Sequence, residues 1–73
     1  MEEEVLEICE SVDNSIDYSS TALIDDELID MDTLMEIVSV MSDEYDISIP
    51  NEEIIPENFN SISAMAALLE KYL

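Results

Sequence analysis

Asp30-Met31-Asp32, with Asp25-Asp26-Glu27 just before it, gathers acidic groups where a turn-like stretch gives way to an amphipathic one. Carboxylates in such a cluster can cap a helix, hold a divalent cation, move protons or face a basic partner. Proton chemistry needs a second group to tune the first, and the chain offers little for this: it has no His, and Lys71 is its only basic residue. Cys9 likewise has no His to ionise it, so a Cys/His nucleophile is excluded. The spacing and the Gly of an EF-hand loop are missing from 25–30, and no metal site or enzyme activity is expected. What remains for these carboxylates is capping and recognition.

The element that must position them is a helix over Met31–Tyr45. Asp30 is its N-cap, because a carboxylate there accepts a hydrogen bond from an unpaired first-turn N–H. Leu34, Ile37, Val38, Met41 and Tyr45 then recur at helical spacing and form its buried face. Before it, residues 2 to about 11 predict a first helix. Glu2, Glu3 and Glu4 favour its N-terminus, and Val5, Ile8, Cys9 and Val12, with Leu6 beside them, form its stripe. On that stripe Cys9 reads as a buried structural thiol.

Residues 12–29 are a long connection with turn signals at Asp13-Asn14-Ser15 and Ser19-Ser20-Thr21. Ile16, Tyr18, Leu23, Ile24, Leu28 and Ile29 recur through it, so it is expected to be pinned to the core, with a helical turn within Ala22–Leu28. After the second helix, Asp46–Ile49 is extended up to Pro50. A short helix through Glu52, Glu53, Ile54 and Ile55 is expected next, ended by Pro56. Asn60 or Ser61 caps the last helix, roughly 61–72, with stripe Ile62, Met65, Ala66, Leu69, Tyr72 and Leu73. Phe59 staples its start.

Residues 1–73 therefore read as one all-α domain: three longer helices, a short one, and a long loop between the first two. The 73 residues carry a formal net charge of −19. Phosphate contacts need Lys or Arg, so a nucleic-acid partner is excluded, and attraction to anionic lipid is disfavoured on the same ground. The partners that fit are proteins with basic patches, reached by electrostatic steering. No apolar run is long enough to span a membrane and the acidic N-terminus lacks a basic leader. A cytoplasmic monomer is expected.

Leu23-Ile24-Asp25-Asp26, Leu28-Ile29-Asp30, the second-helix stripe, Asp43-Glu44-Tyr45-Asp46-Ile47-Ser48-Ile49-Pro50 and Ile54-Ile55-Pro56-Glu57-Asn58-Phe59-Asn60-Ser61 stand in a familiar order. Together they resemble the acyl carrier protein family, most nearly the small stand-alone bacterial acyl and D-alanyl carriers, over nearly the whole chain. The resemblance implies a right-handed four-helix bundle with a long loop between helices 1 and 2 and a short third helix. It also implies work in fatty acid, polyketide or nonribosomal peptide biosynthesis. Family members carry 4′-phosphopantetheine on a serine at the start of helix 2, and its thiol holds an acyl or aminoacyl group as a thioester.

Counted without gaps from Pro50 and from the stripe, Asp30 falls on the family's aspartate and Met31 on its serine. A thioether cannot form the phosphodiester, so the cofactor is not expected on this chain. Glu27 stands where the family commonly has Gly, and Asp32 where it has an exposed apolar residue. Using Thr33 as the substitute would shift the register by two and turn the stripe off the core. Three readings stay open: a homologue that lost its attachment residue, a variant blocked from loading, or an unwritten modified serine. The spacing to Pro50 counts against the last. Met35 lies off the core stripe and, with Glu36, Ser39, Asp43 and Glu44, is expected to form a partner-facing surface of apolar and acidic groups, joined at the helix start by Asp30 and Asp32. They are expected to meet basic patches on acyl- or aminoacyl-transferring enzymes and on a phosphopantetheinyl transferase. The alternative is an interaction module of the same fold that carries no cargo.

Overall fold

The computed structural model describes residues 1–73 and contains helices and no strand: α1 Glu2–Val12, α2 Met31–Tyr45, a 3₁₀ turn Asn51–Glu53, α3 Pro56–Phe59 and α4 Ile62–Lys71. α1 packs against both α2 and α4, and α3 packs against α4. The chain fills 27 × 23 × 20 Å.

Each long helix starts and stops for a local reason. α1 has no side-chain cap; Glu2, Glu3 and Glu4 complement its positive end instead. Its last turn is closed by the loop, where the Tyr18 hydroxyl lies 2.9 Å from the Cys9 carbonyl and also reaches that of Asp13. Asp30 caps α2 by accepting from the Thr33 N–H at 2.8 Å. Asp46, in the left-handed region at φ 53°, ends it. Ser61 caps α4 by accepting from the Ala64 N–H at 3.0 Å. Asn60, the other candidate for that role, does something else.

The core draws on every segment. Val5, Ile8 and Cys9 come from α1, Leu34, Ile37, Val38 and Met41 from α2, and Met65, Ala66, Leu68 and Leu69 from α4. Phe59 comes from α3 and Tyr18, Leu23 and Ile29 from the long loop. No polar or charged side chain is buried apart from the Tyr18 hydroxyl, which is hydrogen-bonded. The loop is thus pinned as its apolar recurrence predicts. Each of its buried side chains contributes roughly 1.5–3 kcal/mol by leaving water. Leu23 is also tied by its backbone, donating to the Asn60 carbonyl at 2.8 Å. The turn expected within Ala22–Leu28 forms as one helical bond, Asp26 N–H to the Ala22 carbonyl, followed by a tighter one, Glu27 N–H to the Ile24 carbonyl.

Several expectations are corrected. Pro56 does not end a short helix but opens one. It is the first residue of α3, where its fixed φ suits a helix and its missing N–H costs nothing. The helix expected through Glu52–Ile55 is only the 3₁₀ turn at Asn51–Glu53. Val12, Tyr45, Ile62 and Tyr72 sit half-buried at the rim of the core rather than inside it. Leu73 lies beyond α4 and is exposed, and so is Leu28. Leu68, outside the expected α4 stripe, is buried because α3 covers that side of α4.

Candidate docking surface

α2 is the element that presents the acidic residues. Its core stripe faces inward in the expected register, with Leu34, Ile37, Val38 and Met41 buried. The register shift needed to bring Thr33 into the place of Met31 would undo that packing. Asp32, Met35, Glu36, Ser39 and Asp43 stand on the opposite face and are all exposed. They recur at spacings of three and four, so they form one continuous strip along the helix.

Met31 opens this strip. It is 66% exposed, Met35 is 44% exposed, and Leu28, three residues before Met31 in the loop, is 42% exposed. Three flexible or branched apolar side chains thus lie in the open beside carboxylates. Asp30 is fixed at the junction. Its carboxyl is held below the ordinary aspartate value, first by the Thr33 backbone N–H that it accepts.

Glu44 does not join the strip. It lines the seam between α1 and α2 with Glu4, Glu7, Val40 and Tyr45. Burial first, then the charges of Glu4, Glu44 and Glu7, raise the Tyr45 phenol above its ordinary value. Helical spacing puts Glu44 seven residues after the buried Ile37 and three after the buried Met41, so it flanks the core face of α2, exposed and beside α1.

The remaining groups singled out in the sequence are buried or engaged in local bonds. No three His, Cys, Asp or Glu side chains are arranged to hold a metal ion. Asp25 is engaged instead with Asn60, accepting from its Nδ2 at 3.1 Å. Cys9 is buried, with its Sγ 3.7 Å from the Met65 sulfur, and burial pushes its thiol up to about 12. It is a core thiol, as its stripe position predicts. Burial pushes the Tyr18 phenol up to about 12 as well. No helix is long and apolar enough to cross a membrane.

Met31 is the position at which the family resemblance puts the cofactor, and the residue does not fit the group. Its side chain ends in a thioether and offers no hydroxyl to phosphorylate. The half-buried Thr33 is the nearest hydroxyl along the helix, and it sits off the exposed strip.

Three tertiary features have no counterpart in the sequence expectations: the Asn60 bridge to the loop, the bonds that Lys71 Nζ and the Tyr72 hydroxyl make to Glu53, and the Glu44 seam. The one available signal was Asn60 itself, a polar residue next to a Ser that already supplies the cap. No protein-family model, curated protein or solved structure matches this chain.

Proposed function

We propose that this chain is an acyl-carrier-protein-like domain of acyl or aminoacyl thioester metabolism. It docks through α2 to basic patches on its partner enzymes and, with Met31 in place of serine, takes no 4′-phosphopantetheine. The observation that carries the docking reading is the exposed strip Met31–Asp43, in which Met31 and Met35 stand among carboxylates with no basic residue nearby in the helix. Methionine suits such a surface because its unbranched, polarizable side chain adapts to a partner pocket. Carboxylates around it steer a basic partner and fix its orientation.

The carrier resemblance has its own support. The element order, with a long pinned loop before α2 and a short α3 before α4, is the one the resemblance implies. Glu27 adds a local detail. It has φ 60°, a left-handed conformation that favours glycine, at the position where the family commonly has Gly. The second reading, an interaction module of this fold that binds a synthetase, synthase or other carrier partner and carries no cargo, shares the α2 strip.

The test is incubation of the chain and of Met31→Ser with coenzyme A and a broad-specificity phosphopantetheinyl transferase, read by intact mass. The carrier reading expects no gain for the chain and a gain of roughly 340 Da, the prosthetic group added covalently, for Met31→Ser. A folded Met31→Ser that stays unmodified would sink it and leave the interaction module.

A further inference from the structure

A groove of about 500 Å³ runs between α1, the 16–19 stretch of the loop and the start of α4. It shares no residue with α2, so it is separate from the surface described above. Leu6, Ile16 and Ile62 give it an apolar floor. Each is half-buried and packs on the core from one side while its other side meets solvent. Glu3, Glu10 and Asp17 stand on its rim and are exposed. One oxygen of Asp17 is taken by the Ser19 N–H and hydroxyl, which fixes the carboxylate and leaves the other oxygen free. The chain supplies no cation to this rim. Lys71 is bound to Glu53, and the amino group of Met1 lies 3.3 Å from Glu4, outside the groove.

An apolar floor ringed by uncompensated carboxylates selects its occupant by charge. A second copy of the chain carries the same net charge of −19 and is repelled. A small polar cation pairs with the rim and leaves the floor wet. We propose that this groove is a second docking site that takes a basic amphipathic peptide segment of a partner protein. One apolar side chain seats on Leu6, Ile16 and Ile62, and flanking Lys or Arg side chains pair with Glu3, Glu10 and Asp17.

The probes are a twelve-residue Lys/Leu helical peptide and its Leu→Ser counterpart of equal charge, titrated into the full chain at about 0.15 M salt, where long-range attraction is screened. Amide shifts are expected at residues 2–10, 16–19 and 62. The leucine peptide should bind about tenfold more tightly or better, as burial of one aliphatic side chain requires. Glu10→Lys, an exposed change, should weaken it at least about fivefold, and Glu57→Lys, exposed on α3, by less than about twofold. Equal affinity for the two peptides reduces the effect to charge alone and overturns the proposal. So do shifts centred on α2, equal losses in the two variants, displacement of the peptide by equimolar spermidine, or dimerisation through the same residues. Because α2 is read separately in the same spectra, failure here leaves the α2 proposal standing.

Discussion

The side chain of Asn60 holds the backbone of Ile24 from across the molecule. Its Oδ1 accepts from the Ile24 N–H at 2.9 Å and from the Asp25 N–H at 3.0 Å, while its Nδ2 donates to the Asp25 carboxylate at 3.1 Å. With the Leu23 N–H bonded to the Asn60 carbonyl, this one residue ties the long loop to the junction of α3 and α4. Asn60→Ala removes the acceptor of one part-buried and one exposed N–H and should cost about 0.5–1.5 kcal/mol in urea unfolding. Asn60→Asp keeps the acceptor but sets a carboxylate against Asp25. It should be less stable than the parent chain at neutral pH and recover part of the loss in acid. Equal stability of Asn60→Ala and the parent would show that water replaces the bridge without cost.

A second cross-link acts at the other end of α4. Glu53 Oε2 lies 2.7 Å from Lys71 Nζ and 2.8 Å from the Tyr72 hydroxyl. The hydrogen bond from Lys71, then that from Tyr72, holds the Glu53 carboxyl below its ordinary value of 4.5. The same contact raises Lys71 above 10.5. A lowered acid contributes stability above its unfolded value and loses it as pH falls through the folded one. A raised base contributes below its unfolded value and loses it as pH rises through the folded one. The stability difference between the parent chain and Lys71→Gln should therefore be largest between roughly pH 5.5 and 9.5 and shrink on both sides. A difference that stays constant down to acid pH would place the effect of Lys71 outside this pair. The Lys71 end of the pair is exposed, so the difference is expected to be small.

How much of this was readable in advance depends on the range of the cause. The bounds of α2 follow from local chemistry, the Asp30 cap at one side and the run of core residues ending at Tyr45 on the other, and both are visible in the sequence. Pro56 was not, since a proline after Ile54-Ile55 is equally compatible with stopping one helix and starting another. The helix that begins at Pro56 after an extended Ile55 settles it. The Glu53 clasp joins residues eighteen and nineteen positions apart and has no local signature. The exposed strip of α2 and the flank position of Glu44, seven residues after Ile37, were legible from periodicity; that α1 is the neighbour on that flank was not.

That seam makes a prediction about charge. Glu4, Glu7 and Glu44 meet around Tyr45, and the one cation near them is the Met1 amino group, 3.3 Å from Glu4. With a net charge of −19, folding works against self-repulsion throughout the molecule. The melting temperature should rise by several degrees from low salt to about 0.15 M salt, where the Debye length is roughly 8 Å. Millimolar calcium should raise it further by loose association with carboxylates. Glu7→Gln should raise the melting temperature at low salt and lower the alkaline titration point of Tyr45, seen by ultraviolet absorbance. A melting temperature indifferent to salt and calcium would count against self-repulsion as a significant term.

Cys9 provides a probe of the core. Its thiol is fully buried and pushed up to about 12, first by burial and then by the charge of Glu10. The thiolate that reacts with disulfide reagents is therefore scarce and inaccessible at neutral pH. Labelling of the native chain should be slow and should follow the opening of the structure, accelerating with urea across the unfolding transition. Rapid labelling without denaturant would mean that α1 separates from α4 in the native state.

Glu27 and Asp46 both adopt left-handed backbone, at φ 60° and 53°. The cost differs between them, because Asp is tolerated in this region better than Glu: its short side chain can hydrogen-bond locally. At Asp46 the conformation also ends α2, with the Ile47 N–H reaching back to the Ser42 carbonyl at 3.1 Å. At Glu27 the bend brings the chain round so that the Ile29 N–H bonds to the Leu23 carbonyl at 3.0 Å, burying Ile29 just before α2 starts. Glycine removes the left-handed penalty of about 1–2 kcal/mol but loses more freedom on folding, by roughly 0.5–1 kcal/mol. Glu27→Gly should thus be more stable than the parent by up to about 1.5 kcal/mol, the difference of these two terms. Because the substitution also removes a charge, Glu27→Gln is the reference, and the Gly variant should exceed it by most of that amount in urea unfolding. Glu27→Val should lose stability, since a β-branched side chain is a genuine outlier at positive φ. If the Gly and Gln variants are equally stable, the gain belongs to the charge and the bend before α2 carries no strain.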